Sequence, residues 1–249
     1  MEKPLRAGHA VNVFNPCGDI RCRKLKDRNV AVFAIVQTPP GALTPPEVTM
    51  VESDGVMHVT VTPPCVKGPG QPRVDLTVFV PSGAPLNFAT VDGLVEARGS
   101  EPVVIETESG QVNARVSGPL SVTTQSGAVN VMVRTSERWS QPVDIRTVTG
   151  DIHLRLPRYA DVRARMRSAG RVSCDYSTRV EQAQSSHIKQ VASRISEACR
   201  STRGWWGRLI GRTLHPARPV HTVSLYSDRG RIDLLKHFPD WQGGEEREQ

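Results

Sequence analysis

Aromatic residues make up only 5% of this 249-residue chain. That scarcity excludes a thick core built around large rings and favours a narrow one filled by Val, Ile, Leu and Ala. No apolar run reaches the length of about 18 residues that a transmembrane helix needs. The opening MEKPLRAGHA also lacks the apolar stretch of a signal peptide. The expected location is therefore the cytoplasm, with the periplasm or cell surface as the alternative if the natural start differs or the chain is a mature form. Five cysteines (Cys17, Cys22, Cys65, Cys174, Cys199) give no even disulfide framework. The Cys17 and Cys22 spacing lacks the second pair or nearby His that would complete a zinc site. There is no P-loop, no G-x-G-x-x-G after a strand, no H-E-x-x-H and no G-x-S-x-G. No catalytic residue, cofactor or metal is expected, and the chain is read as a non-enzyme.

What is present is a repeated phrase. VVIETESGQVNA at 103–114 is rewritten as PLSVTTQSGAVNV at 119–131. The shared template is h-x-h-x-T-x-S-G-x-h-x-h, with h apolar. It fits at Gly93, Gly110, Gly127, Gly150 and Gly230, again at Gly18 and Gly55, and at Gly170 with one residue slipped. Eight copies with glycine in register outrun chance alternation and mark a repeat architecture. Each copy is two short alternating strands around a tight turn, where glycine supplies the turn geometry. One copy cannot bury its apolar face alone, whereas stacked copies can. The expected fold is all-β: a single-domain β-solenoid whose eight structural turn glycines are those just named.

The glycines from Gly93 to Gly170 are 17, 17, 23 and 20 residues apart, and the outer gaps are wider. Extra strands are expected in the early gaps, where Val30, Val32, Ala34 and Val36 alternate, as do Val74, Leu76, Val78 and Val80. Pro-rich stretches at 38–46 and 63–72 read as loops. Cys22 and Cys174 fall on core positions of the template, where a thiol acts as a small hydrophobe.

The opening VNVFNPCGDIRC, the repeated T-x-S-G-x-V-x-V phrase and the closing VSLYSDRGRIDL together resemble the putative-adhesin β-solenoid family of bacterial proteins. The resemblance covers most of the chain except 184–219. It implies a solenoid fold and an adhesin-like binding role, and it supplies no catalytic residues. Many relatives are exported or membrane-tethered.

Net charge is +7, and most of it is local. Between 184 and 219, seven basic residues stand against Glu197 alone. The apolar spacing there also changes: Ile188, Val191, Ile195 and Cys199 lie three and four apart, which predicts a helix near 187–200, with a second, weaker one near 203–213. The expected organisation is solenoid coils over 1–183, a basic amphipathic helical insertion over 184–219, a final coil over 220–238 and a polar disordered tail over 239–249. Lys189, Arg194, Arg200, Arg203, Trp205, Trp206, Arg208, Leu209, Ile210 and Arg212 are the candidate contacts with a membrane or partner. The rival reading is that the insertion covers an open solenoid edge.

Stacking would place equivalent residues in columns. Three after the glycines come Glu96, Asn113, Asn130, His153 and Ser173; five after come Arg98, Arg115, Met132 and Arg155. Glu96 and His153 would be about 14 Å apart at strand spacing, too far to share a proton. Asn113 over Asn130 reads as an amide ladder and Thr90, Thr107, Thr124 and Thr147 as a hydroxyl ladder, while the Arg column could grip an anionic polymer. No column supplies the paired carboxylates that glycoside chemistry needs. The function expected is a binding scaffold with a repetitive surface, its partner an unknown protein or anionic surface, with nucleic acid disfavoured. The alternatives are a peripheral membrane regulator anchored by the insertion and a polysaccharide-active β-helix enzyme.

Overall fold

The computed structural model describes residues 1–40, 45–62, 72–99, 102–134, 142–158, 160–176, 179–182, 188–193 and 220–237. Every regular element among them is a strand. The first seven are β1 (Glu2–Pro4), β2 (Ala10–Cys17), β3 (Ile20–Leu25), β4 (Asn29–Gln37), β5 (Glu47–Ser53), β6 (Val56–Thr62) and β7 (Arg73–Pro81). The repeat region supplies β8 (Leu86–Asp92), β9 (Val95–Gly99), β10 (Val103–Ser109), β11 (Val112–Val116), β12 (Leu120–Ser126), β13 (Val129–Val133), β14 (Val143–Thr147) and β15 (Ile152–Pro157). The last six are β16 (Asp161–Ser168), β17 (Val172–Cys174), β18 (Arg179–Gln182), β19 (Ile188–Ser193), β20 (Val220–Ser227) and β21 (Ile232–His237).

These strands form two sheets. Sheet A runs β1-β4-β7-β3-β9-β11-β13-β15-β21-β17, and sheet B runs β18-β19-β16-β20-β14-β12-β10-β8-β2-β6-β5. Seven times the chain passes from a strand of sheet B, around a glycine, to a strand of sheet A, and β6 and β7 stand beside these as an eighth pair. Each such pair is one layer. The layer order is the same in both sheets: β6/β7, β2/β3, β8/β9, β10/β11, β12/β13, β14/β15, β20/β21, β16/β17. Neighbouring layers pair in parallel, with template positions in register: Val103 lies beside Leu86 and Leu120, and Val112 beside Val95 and Val129. Alternation then buries every second side chain, and the inner faces of both sheets merge into one apolar cluster of mostly Val, Leu and Ile. Burial of each such side chain is worth about 1.5–3 kcal/mol.

The glycine column explains the register. Gly18, Gly93, Gly110, Gly127, Gly150, Gly230 and Gly170 stack in that order, and a Cβ on any of them would press into backbone oxygen of the adjoining layer. Gly127 has a φ of 116°, in the half of conformational space that side-chain-bearing residues avoid. Polar residues three before the glycine sit buried inside the corner. They do not bond to one another as a hydroxyl ladder. Thr90 Oγ1 donates to the Asp92 carbonyl, Thr124 Oγ1 donates to the Ser126 carbonyl, and the Gly150 N–H donates to Thr147 Oγ1. Ser227, at the same position, also reaches the adjoining layer: its Oγ accepts from the Gly230 N–H and donates to the Gly150 carbonyl.

Four expectations are corrected. Gly55 is not a layer corner. It closes a hairpin in which β5 and β6 pair antiparallel with Ser53 opposite Val56, and Asp54 and Gly55 both take positive φ (51° and 77°), a type I′ turn. Its hairpin residues alternate like any layer, so the template could not tell it apart. Second, Ile188–Ser193 is a strand and not part of a helix: β19 pairs antiparallel with β16 and with β18. A short apolar run is ambiguous between periods, and an open sheet edge offers it backbone partners. The rest of the expected insertion, 194–219, and the expected tail, 239–249, lie outside the described residues. Third, Cys17 is disulfide-bonded. An odd cysteine count excludes a fully paired framework and not a single bridge. Fourth, β4 does not keep one buried face: Val30 and Val32 are buried, but Phe33, Ile35 and Val36 are exposed where the strand overhangs the core.

Cys22 is buried, and burial pushes its thiol up to about 11; Cys174 packs against the core from a partly exposed position. No helix among the described residues is long and apolar enough to cross a membrane.

Candidate binding face

Outward-facing residues of sheet A form two parallel rows. The first runs Arg21, Glu96, Asn113, Asn130, His153, Asp233, Ser173 across β3, β9, β11, β13, β15, β21 and β17. The second row, two residues further along each strand, contains Arg98, Arg115, Met132 and Arg155. Both rows follow from the fixed offset to the glycine column. They enclose a trough of about 340 Å³ lined by Glu96, Asn113, Arg115, Asn130, Met132, His153 and Arg155 with the backbone between them.

Ion-paired carboxylates flank the polar row: Glu96 lines one end of the trough, and Asp233 stands one strand beyond His153. Glu96 accepts from Arg23 Nη1 at 3.1 Å and Nη2 at 3.1 Å and from Arg98 Nη2 at 2.9 Å. The Arg23 guanidinium, assisted by Arg98, holds the Glu96 carboxyl below the usual carboxylate range in spite of partial burial. Beyond the other end the Asp233 carboxylate, only 4% exposed, accepts from Arg231 Nε at 2.8 Å, and its second oxygen lies 3.0 Å from His153 Nδ1. Between them the amide ladder forms: Asn130 Nδ2 donates to Asn113 Oδ1 at 3.1 Å, and Gln111 Nε2 donates to the same oxygen at 3.0 Å. Asn113 Nδ2 and Asn130 Oδ1 have no side-chain partner among the described residues. No ion pair engages Arg115 or Arg155 among the described residues.

The depressed Glu96 carboxyl has a measurable consequence. A group whose folded pKa lies below its unfolded value adds stability above the unfolded pKa, and that stability is lost as pH falls through the folded pKa. Melting temperature should therefore fall as pH drops below the ordinary glutamate range, about 4.3. In Glu96→Gln the decline over that window should be shallower than in the parent. Superimposable slopes in the two proteins would mean that the Arg23–Glu96–Arg98 cluster contributes nothing to acid stability.

Of the sequence-predicted candidates, Lys189 lies on β19, and its side chain is outside the description. Arg194, Arg200, Arg203, Trp205, Trp206, Arg208, Leu209, Ile210 and Arg212 lie outside the described residues altogether. Glu96 and His153 are three strands apart, with β11 and β13 between them, as the column spacing implies. The sequence reading missed Arg23, Asp233 and a second amide row. Gly18 and Gly230 carry the same template, so the offsets that yield Asn113 and Arg115 also yield Arg21, Arg23 and Asp233. The second row is on the outer face of sheet B, six before the glycine: Asn87 Nδ2 donates to Asn12 Oδ1 at 2.6 Å, beside His58, Phe14 and Glu106 in a trough of about 440 Å³.

No family model matches the chain, and no curated protein matches it. A solved structure described as a putative cell adhesion protein from Clostridium sporogenes is similar to it with a TM-score of 0.51 at 11% identity, covering 95% of this chain and 98% of that chain. The fold extends over nearly the full length of both, and at that identity the likeness concerns fold alone.

Proposed function

We propose that this chain is a non-enzymatic, adhesin-like β-solenoid scaffold that binds through the outer face of sheet A. The observation that carries the reading is the pair of evenly stepped polar rows, held in register by seven stacked glycines. A stepped row suits an extended partner, because each layer offers the same kind of group one strand spacing further on. The fold likeness to a protein described as a cell adhesion protein is compatible with this role. In this reading the carboxylates of the polar row serve structure. Glu96 is clamped as an anion by two guanidinium groups and has no proton to give as a general acid near neutral pH. Asp233 is nearly buried and committed to His153 and Arg231.

The test is to incubate the protein with immobilised and soluble polymers of several chemical classes, measuring retention and polymer size together. Saturable retention with unchanged polymer size is expected. Shortening or modification of a polymer that is lost in Glu96→Gln would favour a polysaccharide-active enzyme instead.

A further inference from the structure

We propose that the trough on sheet A takes a linear acidic polysaccharide carrying a carboxylate on every second sugar, with Arg115 and Arg155 gripping two successive carboxylates. This rests on the scaffold reading and names the ligand class of the same face.

The argument begins with spacing. Arg115 is on β11 and Arg155 on β15, with β13 between, so their Cα atoms are two strand spacings apart, about 10 Å. The rise of one sugar along an extended polysaccharide is close to one strand spacing. Two guanidinium groups on alternate strands therefore match carboxylates on alternate sugars. Both side chains are exposed. Neither is held by an acid among the described residues, whereas Arg23 and Arg98 in the same region are both spent on Glu96. A planar guanidinium binds a carboxylate in bidentate fashion, and two in a row add register as well as charge.

What lies between the two arginines fits a sugar better than other polyanions. Met132 sits midway, half-exposed, and offers an apolar floor to the C–H face of a ring. The row beside it supplies hydroxyl recognition of both kinds: Asn113 Nδ2 donates, and Asn130 Oδ1 accepts. His153, with Nδ1 3.0 Å from Asp233 Oδ2, leaves Nε2 for a third contact. A nucleic acid would find no Phe, Tyr or Trp ring in this trough on which to stack a base. An extended acidic peptide repeats its side chains on one face every ~6.6 Å, out of step with the ~10 Å between the two arginines.

The test uses the full chain and four probes in calorimetric titration at low and physiological salt. These are a hyaluronan octasaccharide, the same octasaccharide with its carboxyls reduced to alcohols, a poly-glutamate of equal charge and a short single-stranded RNA. Arg115→Gln and Arg155→Gln should each weaken the octasaccharide roughly tenfold, and the double variant more, at unchanged melting temperature. The reduced octasaccharide and the poly-glutamate should bind at least roughly tenfold more weakly than the acidic octasaccharide, the RNA likewise. Arg165→Gln, in the exposed arginine set of β16 on the opposite sheet, should bind as the parent does. Equal binding of poly-glutamate or RNA, or a loss in Arg165→Gln as large as in Arg115→Gln, would overturn the ligand class in favour of diffuse attraction to charge. Octasaccharide binding unaffected by the double variant would overturn the site while leaving the scaffold reading standing. Absence of binding by the octasaccharide, alongside retention of some other polymer, would overturn the ligand class alone. If no polymer of any class is retained, both readings fall.

Discussion

Gly127→Ala should destabilise this protein by about 3–5 kcal/mol, in the range where single substitutions stop being tolerated. Two costs coincide. A φ of 116° is open to glycine and strained for alanine. The added Cβ would also overlap the Gly110 carbonyl oxygen, so the layers of β10/β11 and β12/β13 would have to separate. Separation cannot stay local, because the parallel ladders on both sheets tie each layer to the next. Chemical denaturation monitored by far-ultraviolet dichroism checks it. Gly83→Ala is the matched control, because Gly83 also has positive φ (96°) but its Cβ would meet nothing within 4 Å. That variant isolates the conformational cost, which should be about 1–2 kcal/mol. Equal losses in the two variants would mean that close approach between layers is not what the column of glycines serves.

Phe88→Ala should cost about 3–5 kcal/mol. Phe88 is the largest of the fully buried side chains and is 1% exposed. On sheet B it lies between Val13 and Ile105 of the flanking strands. Those neighbours are held in place by their own ladders and cannot collapse into the space left by a ring, so the cavity term adds to the lost transfer energy. Phe88→Leu, which keeps most of the volume, should cost less than about 1.5 kcal/mol. The two midpoints in urea decide the point. A loss under about 1.5 kcal/mol for the alanine variant would show that the core relaxes around this position.

Both residues were legible before any coordinates. The template marks Gly127 as a turn and Phe88 as inward, because period-two alternation around a fixed glycine specifies face and register together. The same logic placed Asn113 beside Asn130 and kept Glu96 away from His153. It failed where two structures share one pattern. The hairpin at Gly55 alternates just as a layer does, and only the pairing partner of β5 separates them. It failed again at Ile188–Ser193, where helical spacing over a few residues was outweighed by the open edge of β16. Arg23 and Asp233 were within reach, since they occupy the same offsets from Gly18 and Gly230. Their pairing with Glu96 and His153 depends on which layers are neighbours, and the chain order hides that.

The layer order differs from the chain order at both ends of the stack. β2/β3, the first layer in sequence, lies between β6/β7 and β8/β9, and β20/β21, the last, lies between β14/β15 and β16/β17. During synthesis, β2 and β3 therefore emerge long before either of their neighbours exists. They must wait as an unpaired ribbon until residues up to 81 have followed, and for their second neighbour until residue 99. The last layer faces the opposite problem: it has to enter a slot whose two walls are already made. Such long-range closure is slow. Once complete, each of these layers is clasped on two sides, so neither the first nor the last layer in sequence can peel away without breaking its ladders to both neighbours.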